Sequence, residues 1–197
     1  MDDSKIGVVI GVTIIVILIS VWQFYEGFTS EIVYVTSTVD QRRYLVRNLD
    51  DRVTAANMLA ELRQKLKNFV ATIAKAHPNN PGVERLKVRF NPSNLSESSS
   101  DSKYTSYSIN KGQKIVFCIR ERDENNRIID MNTMSFVALH ELAHIMTVSI
   151  GHTKEFWDNF KFLLDFAIKN GYYTYHPYHQ QPKKYCGTMI TDTPHKI

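Results

Sequence analysis

The sequence predicts an α+β fold, and three observations carry the prediction. Leu59, Leu62, Leu66, Phe69 and Ile73 recur at spacings of three and four, the stripe of a helix. Strand-like stretches follow, Leu86 to Phe90 with alternating polarity and a pair flanking Asn110-Lys111-Gly112-Gln113, the composition of a hairpin turn. A second helical region then runs from Ser135 to Gly171. Helices and strands are segregated along the chain rather than alternating, which argues for a small mixed sheet packed on helices. At 197 residues the chain supports one domain plus an appendage. The boundaries read as an N-terminal tail at 1–5, an apolar helix at 6–24, a spacer at 25–40, one domain at 41–190 and a C-terminal tail at 191–197.

Residues Ile6 to Ile19 carry no charge, and the apolar run extends to Trp22 or Phe24. A helix of that length is expected to cross a bilayer as an uncleaved signal-anchor, with Trp22, Phe24 and Tyr25 at the interface. No small-residue cleavage site follows it. Lys5 lies before the run and no Lys or Arg follows until Arg42, so the positive-inside rule puts the large domain on the non-cytosolic side. The sequon Asn94-Leu95-Ser96 agrees with that side. Gly7 and Gly11 form a G-x-x-x-G pattern, which predicts weak homo-association.

The spacer is expected to hold one short strand at Ile32 to Val35. The first long helix begins near Asp51 and ends at His77-Pro78. Asn91 to Lys103, rich in Ser and Asn, reads as a mobile loop. Strands are expected at Thr105 to Ile109 and Lys114 to Arg120, then a charged turn to Arg127, with Asn132 capping the next helix. The net charge of +4 is spread along the chain, so nucleic-acid binding is not demanded. Cys118, in the apolar run IVFCI, reads as a buried thiol; a bridge to Cys186 is compatible with an oxidising compartment. The Tyr/His/Pro-rich tail, from Tyr172 to His179, reads as surface aromatics, with a lining of the cleft as the alternative.

Chemistry concentrates in Phe136 to Trp157, FVALHELAHIMTVSIGHTKEFW. His140 and His144 stand at i and i+4, on one face of a helix. Two imidazole nitrogens so placed suit zinc, and Glu141 falls beside the ion, where it can take a proton from an attacking water. The flanking residues are apolar, so the helix is expected to be buried, and buried polar groups need partners that a metal supplies. A catalytic zinc site wants a third protein ligand. The helix is expected to stop near Ile150 because Gly151 suits a left-handed end, which puts His152 on the following turn. Thr153 then caps a second helix with apolar positions Phe156, Phe160, Leu163, Leu164, Ala167 and Ile168. His152 is the best-placed third ligand; Glu155, His176 and His179 are its rivals.

H-E-L-A-H followed by G-H-x-x-x-F-W resembles the WLM and SprT-like zinc metalloproteases, compact zincins, and in particular the membrane-anchored WLM-like proteins of large DNA viruses. The resemblance implies zinc ligands at His140, His144 and His152, a general base at Glu141, and a peptide or protein substrate laid along an edge strand, for which Lys114 to Arg120 is the candidate. It implies endopeptidase activity. Its rivals are a catalytically silent zinc-binding component of a membrane or virion, and a protease of DNA–protein crosslinks, as several family members are. One departure stands out: seven residues separate His144 from His152, more than WLM proteins usually place there.

Overall fold

The computed structural model describes residues 3–29 and 31–195, with no side chains described at 3–7, 9 or 23–29. The parts of the expected tails at Met1, Asp2, Lys196 and Ile197, and Ser30 in the spacer, lie outside the described residues. So do the side chains of Lys5, Phe24 and Tyr25, on which the expected orientation and interfacial belt rested.

The first strands form because short alternating segments face a helix. β1 (Ile32–Thr36) pairs antiparallel with β2 (Arg43–Arg47), and β2 buries Tyr44 and Val46 on one face while Arg43 is exposed on the other. The segment expected as spacer therefore belongs to the sheet. β2 leads into α2 (Arg52–Ala76), whose Leu59, Leu62, Leu66, Phe69 and Ile73 are all buried, as the helical period requires. The expected strand at Leu86 to Phe90 is instead the end of a helix, α3 (Pro81–Arg89). Asn80 accepts from the amides of Gly82 and Val83, and Pro81 takes the first turn, where its missing N–H costs nothing. Leu86 is buried but Val88 is 72% exposed, so the alternation was incidental.

β3 (Leu95–Glu97) then runs parallel to β2, inside the stretch expected as a mobile loop. Glu97 explains its order. Its carboxylate accepts from the backbone of Arg47 and from the buried guanidinium of Arg120, which also reaches Asp51 at the start of α2. β4 (Ser106–Ile109) and β5 (Lys114–Phe117) make the expected hairpin. The sheet order is β1-β2-β3-β5-β4. β5 is thus interior, parallel to β3, and the edge beyond it belongs to β4, with β1 at the opposite edge. That corrects the edge-strand assignment: an inner strand has both sides hydrogen-bonded and offers no backbone to a substrate.

Two helices complete the core, α4 (Met131–Met146) and α5 (Lys154–Lys169). A small hairpin, β6 (Lys183–Tyr185) and β7 (Thr188–Ile190), follows. The sequon overlaps β3, with Leu95 and Ser96 buried.

The N-terminal helix α1 (Asp3–Thr29) exposes every large apolar side chain described on it. Among the described residues no helix is long and apolar enough to cross a membrane, so the span expected at 6–24 is not supported. Homo-association through Gly7 and Gly11, both on this helix, is likewise not supported.

Candidate metal centre and its cleft

α4 is apolar on nearly all sides and runs through the core, with Met134, Ala138, Leu139, Leu142, Ala143 and Ile145 buried. Its N-cap is Asp130, not Asn132. The Asp130 carboxylate accepts from the backbone and the hydroxyl of Thr133 and from Lys183. Asn132 instead bridges to the backbone of Thr174. The helix ends at Met146, earlier than expected, with Thr147 as C-cap.

One face of α4 turns His140 and His144 towards α5, where Thr153 caps the first turn and Phe156 and Phe160 face back. The His144 ring stacks on Phe156 at 4.3 Å between centroids; the His140 ring meets Phe156 and Phe160 edge-on at 4.9 and 5.2 Å. These contacts fix both rings in orientation. The loop after α4 returns His152 to the pair. Nε2 of His140 is 3.2 Å from Nε2 of His144 and 3.2 Å from Nε2 of His152. The three residues offer ligand atoms all within 4.8 Å of one another.

The cluster fits a metal ion. Tetrahedral nitrogen ligands at zinc distances of 2.0–2.1 Å would lie about 3.3 Å apart, close to the spacing observed. Burial, followed by the neighbouring histidine charges, lowers His140 to about 3. Burial, then the charges of His152 and Lys111, lowers His144 to about 4. Both rings are therefore neutral at ordinary pH, the form that ligates. Glu141, on the next position of the helix, is 4% exposed and burial pushes its carboxyl up to about 8.

A cleft of about 700 Å³ opens on this cluster, lined by His140, Glu141, His144 and His152 among others. Of the rival ligands, Glu155 is occupied with loop amides, His176 meets the carbonyl of Gln181 at 2.8 Å, and His179 is exposed; none joins the cluster.

One wall of the cleft was not legible in the sequence. β4 and the stretch before it contribute Tyr104 to Ser108, while the β6–β7 hairpin contributes Tyr185, Thr188 and Ile190. The Tyr185 hydroxyl shares a 2.6 Å hydrogen bond with Ser106 on the edge strand. The next residue, Cys186, is disulfide-bonded to Cys118 just beyond β5, with Cα atoms 6.0 Å apart. The two cysteines, 68 residues apart in sequence, were the one signal that could have placed this wall. The tail is also less exposed than expected: Tyr173 and Tyr178 are buried, Phe136 packing on both.

Fold and cluster together define an α+β protein with a three-histidine candidate metal centre lining an edge-strand cleft. The chain belongs to the WLM family: the WLM domain matches residues 54–193. It is similar to a protein of Acanthamoeba polyphaga mimivirus, 31% identical over 190 residues that cover 94% of this chain and 96% of that one. A protein of Invertebrate iridescent virus 6 is 31% identical over 134 residues, 68% of this chain and 66% of that one. Among solved structures, the crystal structure of Wss1 from Saccharomyces cerevisiae matches with a TM-score of 0.48 and 22% identity, covering 64% of this chain and 88% of that one.

Proposed function

We propose that this chain is a zinc-dependent endopeptidase of the H-E-x-x-H type, with zinc held by His140, His144 and His152 and with Glu141 as general base. The observation that carries the reading is the convergence of three imidazole Nε2 atoms beside a buried carboxyl at the floor of an open cleft. When bound, zinc polarises a scissile carbonyl and makes water acidic enough to attack at neutral pH. The protein does the rest. His140 and His144, clamped by Phe156 and Phe160, present neutral nitrogens. Glu141 follows His140 on the same helix and accepts the proton of the attacking water. Its buried setting raises its basicity, and a neighbouring dication favours its ionised form. It then returns that proton to the leaving amine.

The substrate lies along β4. Among the described residues no strand lies beside its outer edge, and an extended peptide can pair there by strand addition. Apolar side chains, Phe136, Val137, Trp157 and Ile190, line the cleft beneath it, which favours a peptide with a bulky apolar residue near the scissile bond.

The disulfide supports a further proposal, that the domain matures in an oxidising, non-cytosolic compartment, since such bonds persist where thiols are not kept reduced. Thiol alkylation of protein from its native source should leave Cys118 and Cys186 unlabelled; labelling of both would refute that placement.

Elemental analysis with peptide hydrolysis tests the enzymatic reading. The purified chain should hold about one zinc, and a chelator should abolish cleavage that added zinc restores. A chain that retains no transition metal, or that cleaves equally well without one, contradicts it.

A further inference from the structure

The third histidine poses a problem that the helix does not solve. Residues 147–153 connect α4 to α5 with few apolar anchors: Val148 is 63% exposed and Ile150 90% exposed. Gly151, at φ +83°, has open space around it. Such a loop would ordinarily sample many conformations, and His152 would face the cluster for only part of the time.

Polar groups hold the loop from two sides. On one side is Lys111, at the tip of the β4–β5 hairpin. Its ammonium donates to the carbonyls of Thr147 and Ser149 at 3.0 Å and approaches those of His144 and Val148 at 3.4 Å. With three protons it shares its bonds among these acceptors. The last carbonyls of a helix lack partners and carry the negative end of its dipole, so a cation there meets both needs. The hairpin tip is itself fixed. Lys111 sits at φ +52° and Gly112 at φ +109°, where a Cβ would come within 2.8 Å of the Arg89 carbonyl. On the other side is Glu155, in the first turn of α5. Its carboxylate accepts from the amides of Val148 and Ser149 at 3.0 and 3.2 Å and from the Ser149 hydroxyl at 2.9 Å. Arg85 reaches Glu155 at 3.6 Å and donates to the Met146 carbonyl at 2.9 Å.

We propose that Lys111 is a positioning residue for the third metal ligand: with Glu155 opposite, it clasps the 147–153 loop and thereby aims His152 at His140 and His144. The clasp is what allows seven residues, rather than fewer, between the second and third ligands. The inference rests on the zinc reading above. It makes a prediction opposite in sign to simple electrostatics. A cation near a bound dication repels it, so removing the Lys111 charge should by itself tighten zinc binding. If Lys111 works by holding the loop, its removal loosens binding instead.

The experiment is a zinc titration of the full chain against a chromophoric chelator, repeated with cobalt to read the ligand field. Lys111→Met should weaken zinc binding by about 10- to 100-fold, the usual effect of losing a group that orients a ligand. Lys111→Arg should recover part of the loss. In a His152→Ala background, Lys111→Met should change nothing further, and the cobalt spectra of Lys111→Met and His152→Ala should resemble each other. Where Lys111→Met fails to fold by circular dichroism, Lys111→Gln is read in the same titration by the same criteria. Unchanged or tighter binding in the folded lysine variant overturns the proposal, as does an equal loss when His152 is already absent. A wild-type chain that binds no zinc removes this proposal together with the proposed function, and the wild-type titration alone separates that outcome from the others.

Discussion

The two ends of α4 are finished in different ways. At its N-terminus a carboxylate three residues before Thr133 accepts hydrogen bonds from that residue's backbone N–H and hydroxyl, made within one turn of chain. At its C-terminus an ammonium from a hairpin tip 36 residues before Thr147 takes the carbonyls. Both choices obey the helix dipole, negative charge at the start and positive at the end. They differ in what they position. Asp130 fixes where the helix begins, and so the axial placement of His140 and His144. Lys111 fixes what happens after the helix has ended, and so His152. Two of the three histidines are set by a rigid rod buried in the core, the third by a clasp of charges over exposed backbone.

The comparison breaks most severely at the rod. Phe160 is buried against Phe136 and His140, at ring distances of 5.3 and 5.2 Å. Phe160→Ala should destabilise the domain by about 3–5 kcal/mol, read by denaturant unfolding. A loss under 1 kcal/mol would mean that the α4–α5 seam is not a packed core. A smaller effect on stability, confined to metal, is expected beyond the rod's end. His152→Ala should weaken zinc binding while leaving the melting temperature of the metal-free chain nearly unchanged, because the loop carries little packing. A large fall in the metal-free melting temperature would show that the loop is structural.

The effect at the N-terminal cap is modest and depends on pH. Asp130→Ala should cost about 0.5–2 kcal/mol at neutral pH. Burial works to raise the Asp130 carboxyl, but Lys183 and the Thr133 bonds outweigh it and hold the group at about 2, below its usual value. A depressed carboxyl contributes its stability above the unfolded value, near 3.9, and loses it as pH falls through the folded one. Wild type and Asp130→Ala should therefore converge in stability between about pH 4 and pH 2. A constant difference across that window would remove Asp130 from the account.

What could be read from the sequence follows the same division. The apolar stripe of α2, the hairpin at 110–113, the His140–His144 pair and the Thr153 cap are local patterns, and each stands where its spacing puts it. Leu86 to Phe90 misled because a five-residue alternation is weak evidence beside an Asn-Pro helix start six residues earlier. β3 was invisible because its order comes from Glu97 meeting Arg47 and Arg120, contacts that span 50 and 23 residues. The edge strand was assigned to β5 rather than β4 because strand order depends on β3 inserting beside β5, which no local pattern encodes. The cleft wall at Tyr185 and the loop clasp at Lys111 are long-range in the same sense. His152 was legible as a candidate from its neighbouring glycine, but what aims it was not.

The central claim, a peptidase using Glu141 as its base, is tested most directly by comparing wild type with Glu141→Gln at equal zinc content on an unfolded protein substrate. Glutamine keeps the shape and cannot take the water's proton, so the rate should fall by about 10²- to 10⁴-fold while zinc content and melting temperature hold. Equal cleavage by the two proteins, or no cleavage by a zinc-loaded wild type across a broad panel of peptides, folded and unfolded proteins and DNA–protein adducts, would contradict it.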